Sequence, residues 1–193
     1  MRFGSILRRE FYDRPAPVVA QALLGTVLVH GDVAGRIVET EAYLGQDDLA
    51  AHSARGVTPR TRVIFGPPGH AYVYFIYGMY ECLNLVCEPE GKAGCVLVRA
   101  LEPVAGIEIM QQRRRAARKL EDLASGPGKL TLAMAITRKQ NGADVTRGSL
   151  VVREGGCAEF AVEVTPRIGI TKCAELPLRF LIRGNRFVSR GGR

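Results

Sequence analysis

His70-Ala-Tyr-Val-Tyr-Phe-Ile-Tyr-Gly-Met-Tyr-Glu-Cys-Leu-Asn-Leu-Val-Cys87 holds two β-rich runs, His70 to Tyr77 and Tyr80 to Cys87, joined across Gly78-Met79. Aromatic and branched side chains fill both runs, and a short glycine-bearing break between them is a hairpin signal. Gly91 to Leu101 supplies a further strand after a polar turn, so three strands in succession predict an antiparallel meander. Toward the N-terminus, Thr26 to His30 and Gly35 to Tyr43 read as two strands turning at Gly31-Asp32. Before them, Val18, Val19, Leu23 and Leu24 recur at helical spacing as far as Gly25, which predicts a helix capped near Asp13. Gln46 to Ala54 reads as a short helix, and Arg55 to Gly69 as a surface loop closed by Gly66-Pro-Pro-Gly69. Gly106 to Leu123 predicts a polar, arginine-bearing helix, and Lys129 to Ile136 a second one entered through Ser125-Gly-Pro-Gly128. The remainder returns to short strands and turns. No repeat or linker divides the 193 residues, so the expectation is one α+β domain over residues 1–193.

Charge points to an anionic partner. Twenty-seven Lys and Arg stand against nineteen Asp and Glu, a net +8, and Pro166 to Arg193 alone holds seven basic residues and one acidic one. A phosphate backbone fits such a field; anionic lipid or plain solubility would give the same balance. Five cysteines (Cys82, Cys87, Cys95, Cys157, Cys173) form no CxxC pair and are odd in number, so they are read as reduced thiols. The first ten residues carry three arginines and no signal-like apolar run, and no stretch of about 18 apolar residues occurs. The expectation is a soluble, cytoplasmic protein acting away from membranes.

The candidate chemistry starts at Arg36-Ile-Val-Glu-Thr-Glu-Ala-Tyr-Leu-Gly45. Side chains alternate along a strand, so Glu39, Glu41 and Tyr43 share one face. Neighbouring carboxylates repel, and one of them can become a proton-transfer group. The pattern alone equally describes, and on frequency favours, a solvated strand edge. Tyr72, Tyr74, Tyr77 and Tyr80 place four of the six tyrosines within nine residues. Such a hairpin could present rings to bases, although tyrosine also simply fills cores. Tyr77 differs, because it abuts the turn glycine and has little core to enter. His52 and His70 lack any third ligand at metal spacing, so no metal is expected. Ser125-Gly-Pro-Gly-Lys129 fails the phosphate-loop spacing, since Leu130 follows the lysine, yet Lys129 at a helix start could hold a phosphate. With no GxSxG elbow and no cysteine signature, the remaining catalytic candidates are carboxylates.

Several blocks recur together: Val38-Glu-Thr-Glu-Ala-Tyr-Leu-Gly45 with Ala51-His-Ser53, Gly69 to Tyr80, Asn84, Leu97-Val-Arg-Ala-Leu-Glu-Pro103, and Ser125-Gly-Pro-Gly-Lys-Leu130. In that order, from about Ala16 to Ile136, they resemble the alkyladenine (3-methyladenine) DNA glycosylase family; the resemblance weakens in the C-terminal third. It implies a mainly antiparallel, curved sheet with surrounding helices and a protruding hairpin. It implies Glu41 as the general base that activates water against C1′ of a flipped nucleotide, positioned with help from Arg99 and the His52 region. Tyr43, His52 and Tyr74 would line the pocket, with Leu97 beside them and Asn84 at its floor, a position linked in the family to rejecting normal guanine. Tyr77, with Met79 beside it, would fill the gap in the duplex, while Lys129 and the basic residues from Arg113 to Lys119 meet phosphates. The expected partner is double-stranded DNA containing damaged purines; no cofactor, metal or obligate protein partner is expected, and the chain is expected to act as a monomer. The connection Cys87 to Gly94 is slightly longer than in mammalian members, which could alter DNA contacts. Glu39 is expected to be structural, facing solvent or an arginine. Two other readings stay open from the residues alone: a basic module that stacks on bases without chemistry, and a hydrolase of free nucleosides.

Overall fold

The computed structural model describes residues 3–76, 78–156 and 159–189. Its strands are β1 (Val27–His30), β2 (Val33–Tyr43), β3 (Ala71–Ile76), β4 (Tyr80–Val86), β5 (Cys95–Ala105), β6 (Leu150–Arg153), β7 (Val162–Thr165) and β8 (Arg179–Ile182). They form one sheet in the order β3-β4-β5-β2-β1-β6, and every pairing is antiparallel. The α+β expectation and its meander β3-β4-β5 are therefore met. The sheet forks at β2. β5 runs along one side of it, while the other side is shared by β1, in register with Val33 to Arg36, and β8, in register with Glu39 to Glu41. β7 extends that second branch through β8.

A central strand paired on both sides is buried, and this overturns the solvated-edge reading of the acidic pair: Glu39 and Glu41 are both 0% exposed. The β2–β5 register skips Val38 on one strand and Arg99 on the other, and unpaired residues of this kind reset the alternation of faces. Ile37 and Val38 consequently both enter the main core. Beyond them Thr40 turns its hydroxyl to the Ala20 carbonyl and Ala42 joins the core, leaving Glu39, Glu41 and Tyr43 for the opposite face.

Helices cover the core face: α1 (Arg9–Tyr12), α2 (Ala16–Ala22), α3 (Ile107–Arg113) and α4 (Pro127–Met134). Asp13 caps nothing in α2, which starts on Pro15 and has its Ala16 amide satisfied by the remote Glu88 carboxylate at 3.1 Å. The Cys87–Gly94 connection thus serves the fold, since Glu88 is buried there and pairs with Lys92 at 2.8 Å. The helix expected over 46–54 reduces to a 3₁₀ turn at His52–Arg55. Asp48 accepts from the amides of Leu44 and Ala50, a local bonding pattern that competes with a helix. The long helix expected over 106–123 stops at Arg113, followed by a single turn at Leu120–Asp122. Continuing it would stack Arg114 on Arg118 and Arg115 on Lys119. Instead Arg113 and Arg114 donate to the carbonyls of Ala133 and Asp122. No helix among the described residues is long and apolar enough to cross a membrane.

Candidate active site

The face of the sheet opposite the main core carries a cavity of about 450 Å³. Strand alternation supplies it. Tyr72, Tyr74 and Ile76 of β3 face Asn84, Cys82 and Tyr80 of β4 across the hairpin, and all six line the cavity. The register carries one row on across the sheet: Tyr72 opposes Asn84, Asn84 opposes Leu97, Leu97 opposes Glu41, and Glu41 opposes Arg179. Tyr43, His52, Tyr74, Asn84, Leu97 and Arg99 all line this one space. Glu41 stands behind its wall, bonded to three residues that form it, Tyr43, Arg99 and Ile168. Met79 is exposed beside Gly78 at the hairpin turn, and Lys129 is half-buried on the first turn of α4, outside the lining. Tyr77 lies outside the described residues.

Burying two carboxylates on one strand demands compensation. Glu39 is held by four donors: its Oε1 accepts from Arg99 Nε (3.1 Å), Arg179 Nε (2.6 Å) and Ser189 Oγ (2.8 Å), and its Oε2 from the Ser189 amide (2.6 Å). Glu39 is therefore structural and faces arginines, not solvent. Glu41 Oε1 accepts from the Ile168 amide at 2.8 Å and pairs with Arg99 Nη1 at 3.2 Å, while its Oε2 accepts only from the Tyr43 hydroxyl at 3.1 Å. Burial, then the Glu41 charge, push the Tyr43 phenol far above its ordinary range, so it is a fixed donor. Burial opposes the charge on Arg99, but Glu41 and Glu39 together raise it, so the guanidinium stays cationic between them.

At the cavity mouth His52 touches the Tyr72 hydroxyl through Nδ1 at 3.0 Å and packs edge-on to Tyr74 at 4.4 Å. Arg60 approaches its Nε2 at 3.5 Å and lies over the Tyr74 ring. Desolvation against those rings, and then the Arg60 charge, push the imidazole below its ordinary value, so it is neutral at pH 7; the part of the residue open to solvent limits that shift. Since arginine only donates, Nε2 is the acceptor, and Nδ1–H donates to Tyr72. All three tyrosines line the cavity, Tyr72 from a buried position at 2% exposure that also meets the core-filling reading, and Tyr74 and Tyr80 with their side chains partly open. Cys82 and Cys95 line it too, and burial pushes their thiols up to about 11 and about 12, so they are neutral. The four described cysteines are free.

Sequence reasoning missed the third wall. Ile168, Gly169 and Ile170 close the cavity on the β2 side, from a C-terminal segment with no motif of its own. It also missed the role of Gly-Pro-Gly128: Pro127 and Gly128 line the cavity, and a Cβ on Gly128 would fall 2.8–2.9 Å from the Tyr80 side chain. The glycine is there for close packing. No group of three His, Cys, Asp or Glu among the described residues could hold a metal.

Comparison with known proteins agrees with this geometry. The family model described as Methylpurine-DNA glycosylase (MPG) matches residues 10–186. Proteins named "Putative 3-methyladenine DNA glycosylase" are similar along nearly the whole chain. The one from Koribacter versatilis is 51% identical over 191 residues, covering 95% of this chain and 92% of its own. That from Methanocella arvoryzae is 54% identical, covering 90% and 89%, and that from Methanoculleus marisnigri 54%, covering 93% and 96%. The motif order along β2 to β5, the one cavity those motifs build, and this match over residues 10–186 place the chain in the methylpurine-DNA glycosylase family.

Proposed function

We propose that this protein flips an alkylated or deaminated purine nucleotide out of duplex DNA into the cavity and hydrolyses its N-glycosidic bond with water activated by Glu41. The observation that carries the reading is the unequal bonding of the Glu41 carboxylate. Oε1 is held by the Ile168 amide and Arg99, and Oε2 keeps acceptor capacity beyond the Tyr43 hydroxyl, beside a space walled by aromatic rings. A carboxylate so placed takes a proton from water as the water oxygen bonds to C1′ and the C1′–N9 bond breaks. An N3- or N7-alkylated purine carries positive charge in the nucleotide, so it leaves as a neutral base without needing a proton; a deaminated purine leaves as the N9 anion and takes its proton from water. Tyr43, Tyr74 and His52 offer π-faces to the base, and Asn84 offers an amide at the floor. The described lining residues include no lysine, which favours water over a Schiff-base amine as the nucleophile.

Flipping leaves a gap in the duplex. The β3–β4 hairpin stands beside the cavity, with Ile76 and Tyr80 in its wall and Phe75 and Met79 exposed next to them. Apolar side chains at such a tip suit a wedge between base steps. The net charge of +8 serves the phosphates. Release of free base from duplexes carrying 7-methylguanine, hypoxanthine or ethenoadenine, alongside the matching free nucleosides, tests the proposal. It expects base from at least one duplex, none from nucleosides, and no covalent adduct under borohydride. Binding without release from any duplex would leave a stacking module and overturn it.

A further inference from the structure

Behind Tyr43 lies an ion pair that touches no part of the cavity's open space. The side chains of Asp48 and Arg167 are both 0% exposed. Arg167 Nη1 and Nη2 engage the two carboxylate oxygens of Asp48, the second at 2.9 Å, and donate to the carbonyls of Ala42 (3.0 Å) and Cys173 (3.3 Å). The guanidinium carbon sits 4.7 Å from the centre of the Tyr43 ring. Asp48 in turn holds the amides of Leu44 and Ala50, and Ala50 lines the cavity. The residue after Arg167 is Ile168, whose amide holds Glu41 at 2.8 Å.

Stability alone is a poor explanation for this arrangement. A wholly buried ion pair is commonly matched or bettered by apolar residues of similar volume. Arg167 even leaves its Nε–H buried without an acceptor among the described residues, a cost that selection for stability alone would remove. What an apolar filling cannot supply is direction. A planar fork with bonds to β2, to the 44–50 loop and to Cys173 ties three segments together in one orientation.

Resting on the hydrolytic reading above, we propose that Arg167, locked by Asp48, is a positioning residue for base release. It backs the Tyr43 ring on the face away from the cavity and sets the Ile168 amide that orients the Glu41 carboxylate. A flipped purine stacked on Tyr43 is thereby held in line with the water on Glu41. A displacement of about 1 Å in such a constellation costs about a hundredfold in rate, so the effect belongs to the chemical step.

Two variants test this on the full chain: Arg167→Lys, which keeps the charge but loses the fork, and the double variant Asp48→Leu with Arg167→Met, which removes both charges together. Single-turnover base release is measured on whichever lesion duplex the wild type cleaves, with affinity for an abasic-site duplex and the thermal melt alongside. Both variants are expected to release base about ten- to a hundredfold more slowly, with affinity changed less than about threefold, and the double variant to melt near the wild type. A stable double variant releasing base at the wild-type rate overturns the proposal. So does Arg167→Lys at the wild-type rate, which decides the matter if the double variant does not fold, or a loss of affinity as large as the loss of rate. A wild type that releases no base from any lesion instead sinks the functional reading itself.

Discussion

Glu39 and Glu41 stand two residues apart on one face of β2, both wholly buried, and their surroundings differ in one respect. Glu39 accepts from two guanidiniums and two donors of Ser189, and of these residues Arg179 and Ser189 lie outside the cavity lining. Glu41 is held by Tyr43, Arg99 and Ile168, and all three line the cavity. Burial therefore does not distinguish the two carboxylates; the residues that hold them do, since all three partners of Glu41 line the cavity and two of the three residues that hold Glu39 do not. The two are also linked, because Arg99 bonds to Glu39 through Nε and pairs with Glu41 through Nη1. Glu39 thus helps to hold the cation that pairs with Glu41.

The largest effect should come from Glu41→Gln. The amide keeps the shape but cannot take a proton, so single-turnover base release should fall by about 10²- to 10⁴-fold while abasic-site DNA is still bound. Unchanged release would remove the carboxylate mechanism. Glu39→Gln should act on the other quantity. It strips the counter-charge from Arg179 and one of the two from Arg99, which keeps Glu41, and breaking a buried pair costs about 3–5 kcal/mol, readable by denaturant unfolding. Measured where the variant is folded, its base release should fall less than that of Glu41→Gln, and the reverse order would exchange the two assignments. Tyr43→Phe keeps the stacking ring and deletes one hydrogen bond to a charged acceptor, worth about 1.5–3 kcal/mol. Release should drop by about ten- to a hundredfold, with little change in DNA affinity.

The smallest effect concerns pH. The His52 imidazole is held below its ordinary value, so on acidification the unfolded chain takes up the proton first. Its contribution is complete above about pH 6.5, and stability falls as pH drops below that toward the lowered value. His52→Gln should flatten this limb of the unfolding curve without altering the Glu39 and Glu41 contrast. A limb of the same steepness in the variant would assign it to another group.

Much of this was legible in the chain itself. The hairpin at Gly78-Met79, the two strands turning at Gly31-Asp32, and the alternation that sends Tyr72, Tyr74, Cys82 and Asn84 to one face are local consequences of strand geometry. The motif order was enough for the family and for six cavity-lining residues. The acidic pair was misjudged because a sequence does not say which strand is central. Whether charges on a strand are wet depends on neighbours far along the chain, here β5 and β8. Two intended helices failed because Asp48 bonds to its own backbone and successive arginines found remote carbonyls.

Strand period and turn chemistry act over a few residues, so sequence alone sufficed for the meander and the hairpin, while the net charge of +8 was compatible with an anionic partner without requiring one. Pairing across long separations has no local signature. Only the folded sheet could bring Arg167 against Asp48, or Arg179 and Ser189 against Glu39, over sequence distances of more than a hundred residues. Those contacts form because carboxylates forced into a central strand, or under a ring, must find cations wherever the chain can deliver them.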